Sequence, residues 1–170
     1  METPDNLSVY TPDTQSVLEK CKKRILEQSK NKLVISDLKG QKLKFNGVNS
    51  SNSLYFINCE DCTIRIHNNL VNISLEGCKN FHIIFNKIVA KMEILNSRDI
   101  KVSSREIPQT FQLDFCDSVD IKVSERAHGV KDSDLIFCTF FSTGIRINGK
   151  TIQTRLENYL TYHSVDLNLL

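Results

Sequence analysis

Apolar side chains in the middle of this chain alternate with polar ones in short runs, and the runs recur at a fixed interval. Four segments align: LYFINCEDCTIRI from Leu54 to Ile66, ISLEGCKNFHIIF from Ile73 to Phe85, MEILNSRDIKV from Met92 to Val102, and FQLDFCDSVDIKV from Phe111 to Val123. Each is centred on a small residue, and these centres, Cys59, Cys78, Ser97 and Cys116, are nineteen residues apart every time. Apolar or small side chains stand five and three residues before each centre and three and five after it, as in Leu54, Phe56, Cys62 and Ile64. Period two on either side of a small residue predicts two short strands meeting at a tight corner. Strands this short cannot bury an apolar face alone, so successive units must stack, with equivalent positions about 4.8 Å apart. The expected fold is all-β, a right-handed parallel β-helix of about six turns over residues 33–147. A leucine-rich solenoid is the competitor, but its asparagine ladder is absent and no helical stretch fits between the strands.

Carried one turn backwards, the rule puts a centre at Gly40, with Leu43 and Phe45 following; carried forwards, it returns at Ser142, Ile145 and Ile147 after seven extra residues. The polar run ERAHGVKD, Glu125 to Asp132, is the expected site of that insertion. An open solenoid end needs covering. Residues 1–32 read as an extension whose amphipathic helix starts at Asp13 or Thr14 and carries Val17, Leu18, Cys21, Ile25 and Leu26 on one face. Its basic run, Lys20, Lys22, Lys23 and Arg24, reads as a solvated face. Residues 148–170 read as a tail packing on the β-helix, with Ile152, Leu156, Tyr159 and Leu160 at spacing that fits either helix or strand.

Composition changes this picture little. With 40% hydrophobic and 25% charged residues and a formal charge of +2, the chain reads as one ordinary globular domain. That balance points to neither nucleic acid nor a membrane surface. The opening METPDNLSVYTPDTQ lacks a basic region followed by an apolar one, so a cytoplasmic protein is expected. Most of the six cysteines occupy strand positions and read as reduced, buried thiols. Cys59 and Cys62 have zinc-ligand spacing but no second pair, and both fall on repeat positions. His67, His82, His128 and His163 join no catalytic constellation, and no phosphate-binding glycine motif is present, so no cofactor or metal is expected. Asp114, Asp117 and Asp120 lie along a single turn, too few for a pectin-cleaving carboxylate cluster.

The segments INCEDCTIRI, LEGCKN and EILNSRDIKV resemble the β-helix superfamily shared by tubulin-binding cofactor C and cyclase-associated protein, over roughly residues 33–147. SDLKGQKLKF followed by LYFINCEDCTIRI, with STGIRI as closing strand, is most similar to the cofactor C domain. That resemblance implies a cytoskeleton-associated tubulin-folding chaperone component, stimulating GTP hydrolysis by an Arf-like GTPase in complex with tubulin and other cofactors. The alternative, suggested by EILNSRDIKV and the turn at Ile107-Pro108, is a cyclase-associated module that binds actin monomers and normally ends in a dimerisation hairpin.

Cofactor C works through an arginine finger in a Gln-Gln-Leu-Arg motif, whose guanidinium stabilises charge during phosphoryl transfer. The matching turn here sets Gln109, Thr110, Phe111 and Gln112 against that motif, so glutamine stands where arginine is required. The implied GTPase-contacting residues are therefore Gln109, Gln112 and Arg105, the last from an alignment without the local insertion, with Arg98 in reserve and Phe111 as a binding residue.

Overall fold

In this computed structural model the described residues are 25–29, 31–45, 51–106, 108–124, 136–152 and 161–163. They form two sheets, and in each turn the chain runs through one strand of each. Six parallel strands make the first: β2 (Lys32–Ser36), β4 (Ser53–Ile57), β6 (Leu70–Glu76), β8 (Ile88–Leu95), β10 (Thr110–Asp114) and β12 (Ile136–Phe140). Antiparallel strands β1 (Ile25–Ser29) and β15 (Thr161–His163) extend it to eight. Six more parallel strands make the second: β3 (Lys42–Phe45), β5 (Thr63–Ile66), β7 (Lys79–Phe85), β9 (Arg98–Ser104), β11 (Asp117–Val123) and β13 (Thr143–Ile147). A short β14 (Lys150–Thr151) folds back on β13 to make seven. Six parallel levels enclose five full turns of an all-β solenoid, and among the described residues there is no helix.

Register follows the nineteen-residue rule wherever the four aligned segments meet. Leu54 pairs with Ile73, Ile73 with Met92 and Met92 with Phe111 in the first sheet. Ile64 pairs with Ile83, and Ile100 with Val119, in the second. Between the last two levels the offset grows by seven residues, Phe111 opposite Phe137 and Val119 opposite Ile145. The expected insertion is therefore real and falls after β11; the ERAHGVKD run itself lies outside the described residues.

The first turn departs from the sequence reading. Leu43 pairs with Ile64 and Phe45 with Ile66, an offset of twenty-one, so Leu38 and not Gly40 is the counterpart of Cys59. Leu38 is buried and Gly40 is exposed. Two extra residues between β3 and β4 shift the frame, and a glycine placed nineteen residues before Cys59 mimicked the small centre. The predicted N-terminal helix also changes: Ile25–Ser29 is a strand, registered against Ile35–Lys32, while Asp13 to Arg24 lie outside the described residues.

Each corner is built the same way. The residue before every centre, Asp37, Asn58, Gly77, Asn96, Phe115 and Phe141, has φ between 45° and 63°. So does the residue two after it, Gly40, Asp61, Asn80, Asp99, Ser118 and Gly144, with φ between 46° and 64°. Left-handed backbone at both sites turns the chain from one sheet to the other within three residues, and Asn, Asp and Gly accept it at least cost. The amides there bond to the next turn: Asp37 to the Ile57 carbonyl, Asn58 to Glu76, Gly77 to Leu95, Asn96 to Asp114 and Phe115 to Phe140, at 2.8–3.0 Å. The centres are buried and stack behind this ladder. The Ser97 hydroxyl accepts the Cys78 amide at 3.0 Å and donates to the Leu95 carbonyl at 2.7 Å. Ser142 does the same for Cys116 and donates to the Leu113 carbonyl at 2.8 Å. A small polar side chain here satisfies backbone groups that a larger apolar one would strand.

Inward positions form one continuous core, from Leu33 and Leu43 at one end to Phe137 and Ile147 at the other. Phe45, Phe56 and Phe81 form an interlocked aromatic run inside it. Ile94 is fully buried at its centre, so Ile94→Asp places an unpaired charge in hydrocarbon and should prevent cooperative folding; an unchanged melting temperature would refute this register. Gly77→Ala tests the corner. Its φ of +63° and a Cβ 2.4 Å from Asn58 Oδ1 should lower stability by about 1–2 kcal/mol, read by urea denaturation.

Candidate functional site on the seven-stranded sheet

Outward side chains of the seven-stranded sheet stand in two rows, because parallel register repeats each position directly over the last. One row runs Lys42, Thr63, His82, Lys101, Asp120 and Arg146. The other runs Lys44, Arg65, Ile84, Ser103 and Lys122. In these two rows Lys42, Lys44, Arg65, Lys101, Lys122 and Arg146 thus stand against one acid, Asp120, while exposed Asp61, Asp99 and Asp117 line the corner edge of the same sheet. The other sheet is different. Its outward rows carry Tyr55, Ser74, Glu93 and Gln112, and Ile57, Glu76, Leu95 and Asp114. Acids and bases nearly cancel over the whole chain, yet the fold sorts them so that one face is basic.

His82 sits at the middle of the basic face, half-buried, its Nε2 3.0 Å from Ser103 Oγ. Burial lowers its pKa below the ordinary histidine value, and Lys101, Arg65 and Lys122 push it further the same way. Exposed His67, at the end of β5, is lowered by desolvation and by Lys44 and Arg65. Both rings are therefore neutral at pH 7, and the face owes its charge to lysine and arginine. Beside it a shallow depression of about 390 Å3 is lined by three bases, Lys79, Lys101 and Arg146, and three acids, Asp61, Asp99 and Asp120. Arg146 approaches Asp120 at 3.8 Å. At the corner, Glu60 bridges Lys39 at 2.9 Å and Lys79 at 3.2 Å, and their hydrogen bonds hold its carboxyl below the usual range. The two outward rows thus offer an extended, mostly basic surface, bordered by acids at the corner.

The residues singled out for GTPase contact lie on different elements. Gln112 stands on the outer face of the other sheet and its Nε2 donates to Asp114 Oδ2 at 2.6 Å. Gln109 is exposed at the bend leading into β10. Arg98 opens β9 at the corner between the sheets. Arg105 lies at the opposite end of β9, where its amide bonds the Phe85 carbonyl at 3.2 Å. Phe111, expected to bind a partner, is an inward core residue whose ring packs 6.2 Å from that of Phe137.

Of the described cysteines four lie inward, and Cys138, registered opposite Gln112, lies in an outward row. Cys59, Cys62, Cys78 and Cys116 are buried and Cys138 is half-buried. Burial raises Cys116 to about 11, and the hydrogen bond with Cys78, together with burial, holds Cys59 up as well. Cys62 Sγ donates to the Glu60 carbonyl at 3.2 Å. Among the described residues no cluster of His, Cys, Asp and Glu could hold a metal ion, and no helix is long and apolar enough to cross a membrane.

Fold and face together define a class: a parallel β-solenoid with a solvent-exposed, largely basic sheet. Residues 20–158 match the family described as adenylate cyclase associated (CAP) C terminal, and the chain belongs to that family. It is 25% identical over 98 residues to adenylyl cyclase-associated protein 2 of Mus musculus, covering 58% of this chain and 18% of the relative. It is 28% identical over 85 residues to adenylyl cyclase-associated protein 1 of Homo sapiens, covering 44% and 18%. The chain thus spans about a fifth of the length of these relatives. A crystal structure of cyclase-associated protein from Cryptosporidium parvum superposes with a TM-score of 0.64 at 16% identity, over 82% of this chain and 83% of that one.

These matches correct the cofactor C assignment. The superfamily stands, but the branch is the cyclase-associated one, so the readings as a tubulin-folding cofactor and a GTPase activator fall. The glutamine at the finger position, Gln112, fits that outcome: its amide carries no charge to stabilise a transferring phosphoryl group.

The histidine environment has a measurable consequence. A depressed folded pKa means the unfolded chain takes the proton first, so stability is fully present above about pH 6.5 and falls as pH drops from there toward the lower folded value. NMR titration should place the His82 midpoint below 6.5, and Lys101→Glu should raise it. A midpoint at or above 6.5 in the native chain would contradict the crowded basic environment.

Proposed function

We propose that this chain is an actin-monomer-binding module of the cyclase-associated kind, acting in the cytoplasm at the actin cytoskeleton and docking through the basic face of its seven-stranded sheet. Membership of the family supports the class of partner, and the alignment of Lys42, Lys44, Arg65, Lys101, Lys122 and Arg146 on one rigid sheet is the observation that carries the choice of face. A flat basic surface on a scaffold that loses no conformational entropy suits a large acidic protein partner. Catalysis has no part in this reading, and neither does a cofactor. Residues 33–147 act as the folding unit, residues 1–32 as an extension and 148–170 as a tail, with pairing of Ile25–Ser29 to β2 and of Thr161–His163 to β12 in support of both ends adding strands to it.

Fluorescence anisotropy of labelled actin monomers tests this. The chain should bind actin monomers with an affinity that weakens as salt rises. Lys101→Glu combined with Lys122→Glu should weaken binding at least about tenfold with an unchanged melting temperature, since both side chains are exposed. Absence of actin binding, or binding indifferent to the double charge reversal, would refute the reading.

A further inference from the structure

The last two corners break the rule that governs the others. Where Asp37, Asn58, Gly77 and Asn96 occupy the left-handed position before the centre, the next two turns place phenylalanine, Phe115 with φ 54° and Phe141 with φ 45°. A bulky side chain is an outlier in that region, and such strain persists only where something else requires it. Neither ring is repaid by burial: Phe115 is 53% and Phe141 49% exposed. The rings instead stack on each other, 5.7 Å between centroids and 7° from parallel. Phe140 closes the group edge-on, 4.5 Å from Phe141 and 5.2 Å from Phe115. Half-buried Leu95 continues the apolar patch one level beyond Asp114, in the same outward row as Phe140.

Charge around the patch has one dominant sign. Asp114 lies in the row between Leu95 and Phe140, and Glu76 lies one level further along it. Exposed Asp117 follows the Cys116 centre and accepts the Thr143 hydroxyl at 2.9 Å. Arg98, registered beside Asp117, is the basic residue of this group. Three aromatic rings within an acidic rim complement a segment whose apolar side chain is flanked by Lys or Arg, through apolar burial, ion pairing and cation–π contact. That is opposite to the chemistry of the basic sheet.

We propose that Phe115, Phe140 and Phe141, with Asp114 and Asp117, form a second docking site, specific for a basic, apolar segment of a partner protein and separate from the basic face. The rings were placed at strained corners for contact and not for folding. The inference does not depend on the actin reading.

The test uses two fluorescein-labelled peptides of about twelve residues, one with a Leu-Phe pair flanked by lysines and one with glutamates in their place, titrated into the full chain. The lysine peptide should bind at least about tenfold more tightly than the glutamate peptide. Phe115→Asn and Phe141→Asn should each weaken it at least about tenfold, while Lys101→Glu with Lys122→Glu leaves it undiminished, which keeps this site distinguishable from the actin face. Because asparagine relieves the backbone, each phenylalanine variant should keep its Tm or raise it by up to about 4 °C. Equal affinity for the two peptides, no binding of either, or binding indifferent to Phe115→Asn would overturn the proposal. So would a fall in Tm in both variants, which would make the ring stack a structural clasp.

Discussion

The corner hydrogen bond between a left-handed amide and the carbonyl of the next turn is the constraint on which the molecule depends. It links Asp37 to Ile57, Asn58 to Glu76, Gly77 to Leu95, Asn96 to Asp114 and Phe115 to Phe140, and so sets each turn directly over the last. Without it the two strands of a turn could slide relative to their neighbours, and a one-residue slip would turn every inward side chain outward. Behind it, Ser97 and Ser142 take up amides of the preceding turn that no strand can satisfy. Regular stacking then has a second effect. It arranges outward residues in rows, so charges scattered along the sequence become a coherent face.

That mapping explains how a chain with formal charge +2 presents a strongly basic surface. Lys44 and Arg65 are twenty-one residues apart in sequence and adjacent in space. Lys101 and Lys122 are brought to neighbouring levels in the same way. Other acids go elsewhere: Glu76, Glu93 and Asp114 face out from the other sheet, and Asp61 and Asp99 stand at the corner. A solenoid of this kind needs no cleft to be specific, since face, corner and end each carry a different set of side chains.

Much of this was legible in the sequence. Inward residues such as Ile73, Met92 and Phe111 are apolar at a constant interval, and burial leaves them little freedom to vary, so the period and the later insertion could be read directly. The first turn could not, because Leu38 is large for a centre and Gly40 imitates a small one. The hairpin joining β13 to β14 turns at Asn148 and Gly149, both with positive φ. Asn-Gly between strands is a strong hairpin signal, and it is local turn chemistry that the apolar spacing of the tail does not carry. The basic face is written in the outward positions of the same alignment whose inward positions form the core. Net charge concealed it by averaging. The family branch was the hardest to read, because stacking constrains the inward residues of any such solenoid and leaves its outward residues without a packing rule.

The central claim is that the seven-stranded sheet, and not its opposite, is the working face. Ile84 lies half-exposed at the middle of that face, and Ile57 lies half-exposed on the other, so the two side chains are natural reporters. Methyl NMR of isoleucine-labelled chain titrated with actin monomers should shift or broaden Ile84 well before Ile57 responds. A response at Ile57 with Ile84 silent would put the partner on the opposite sheet and contradict the account.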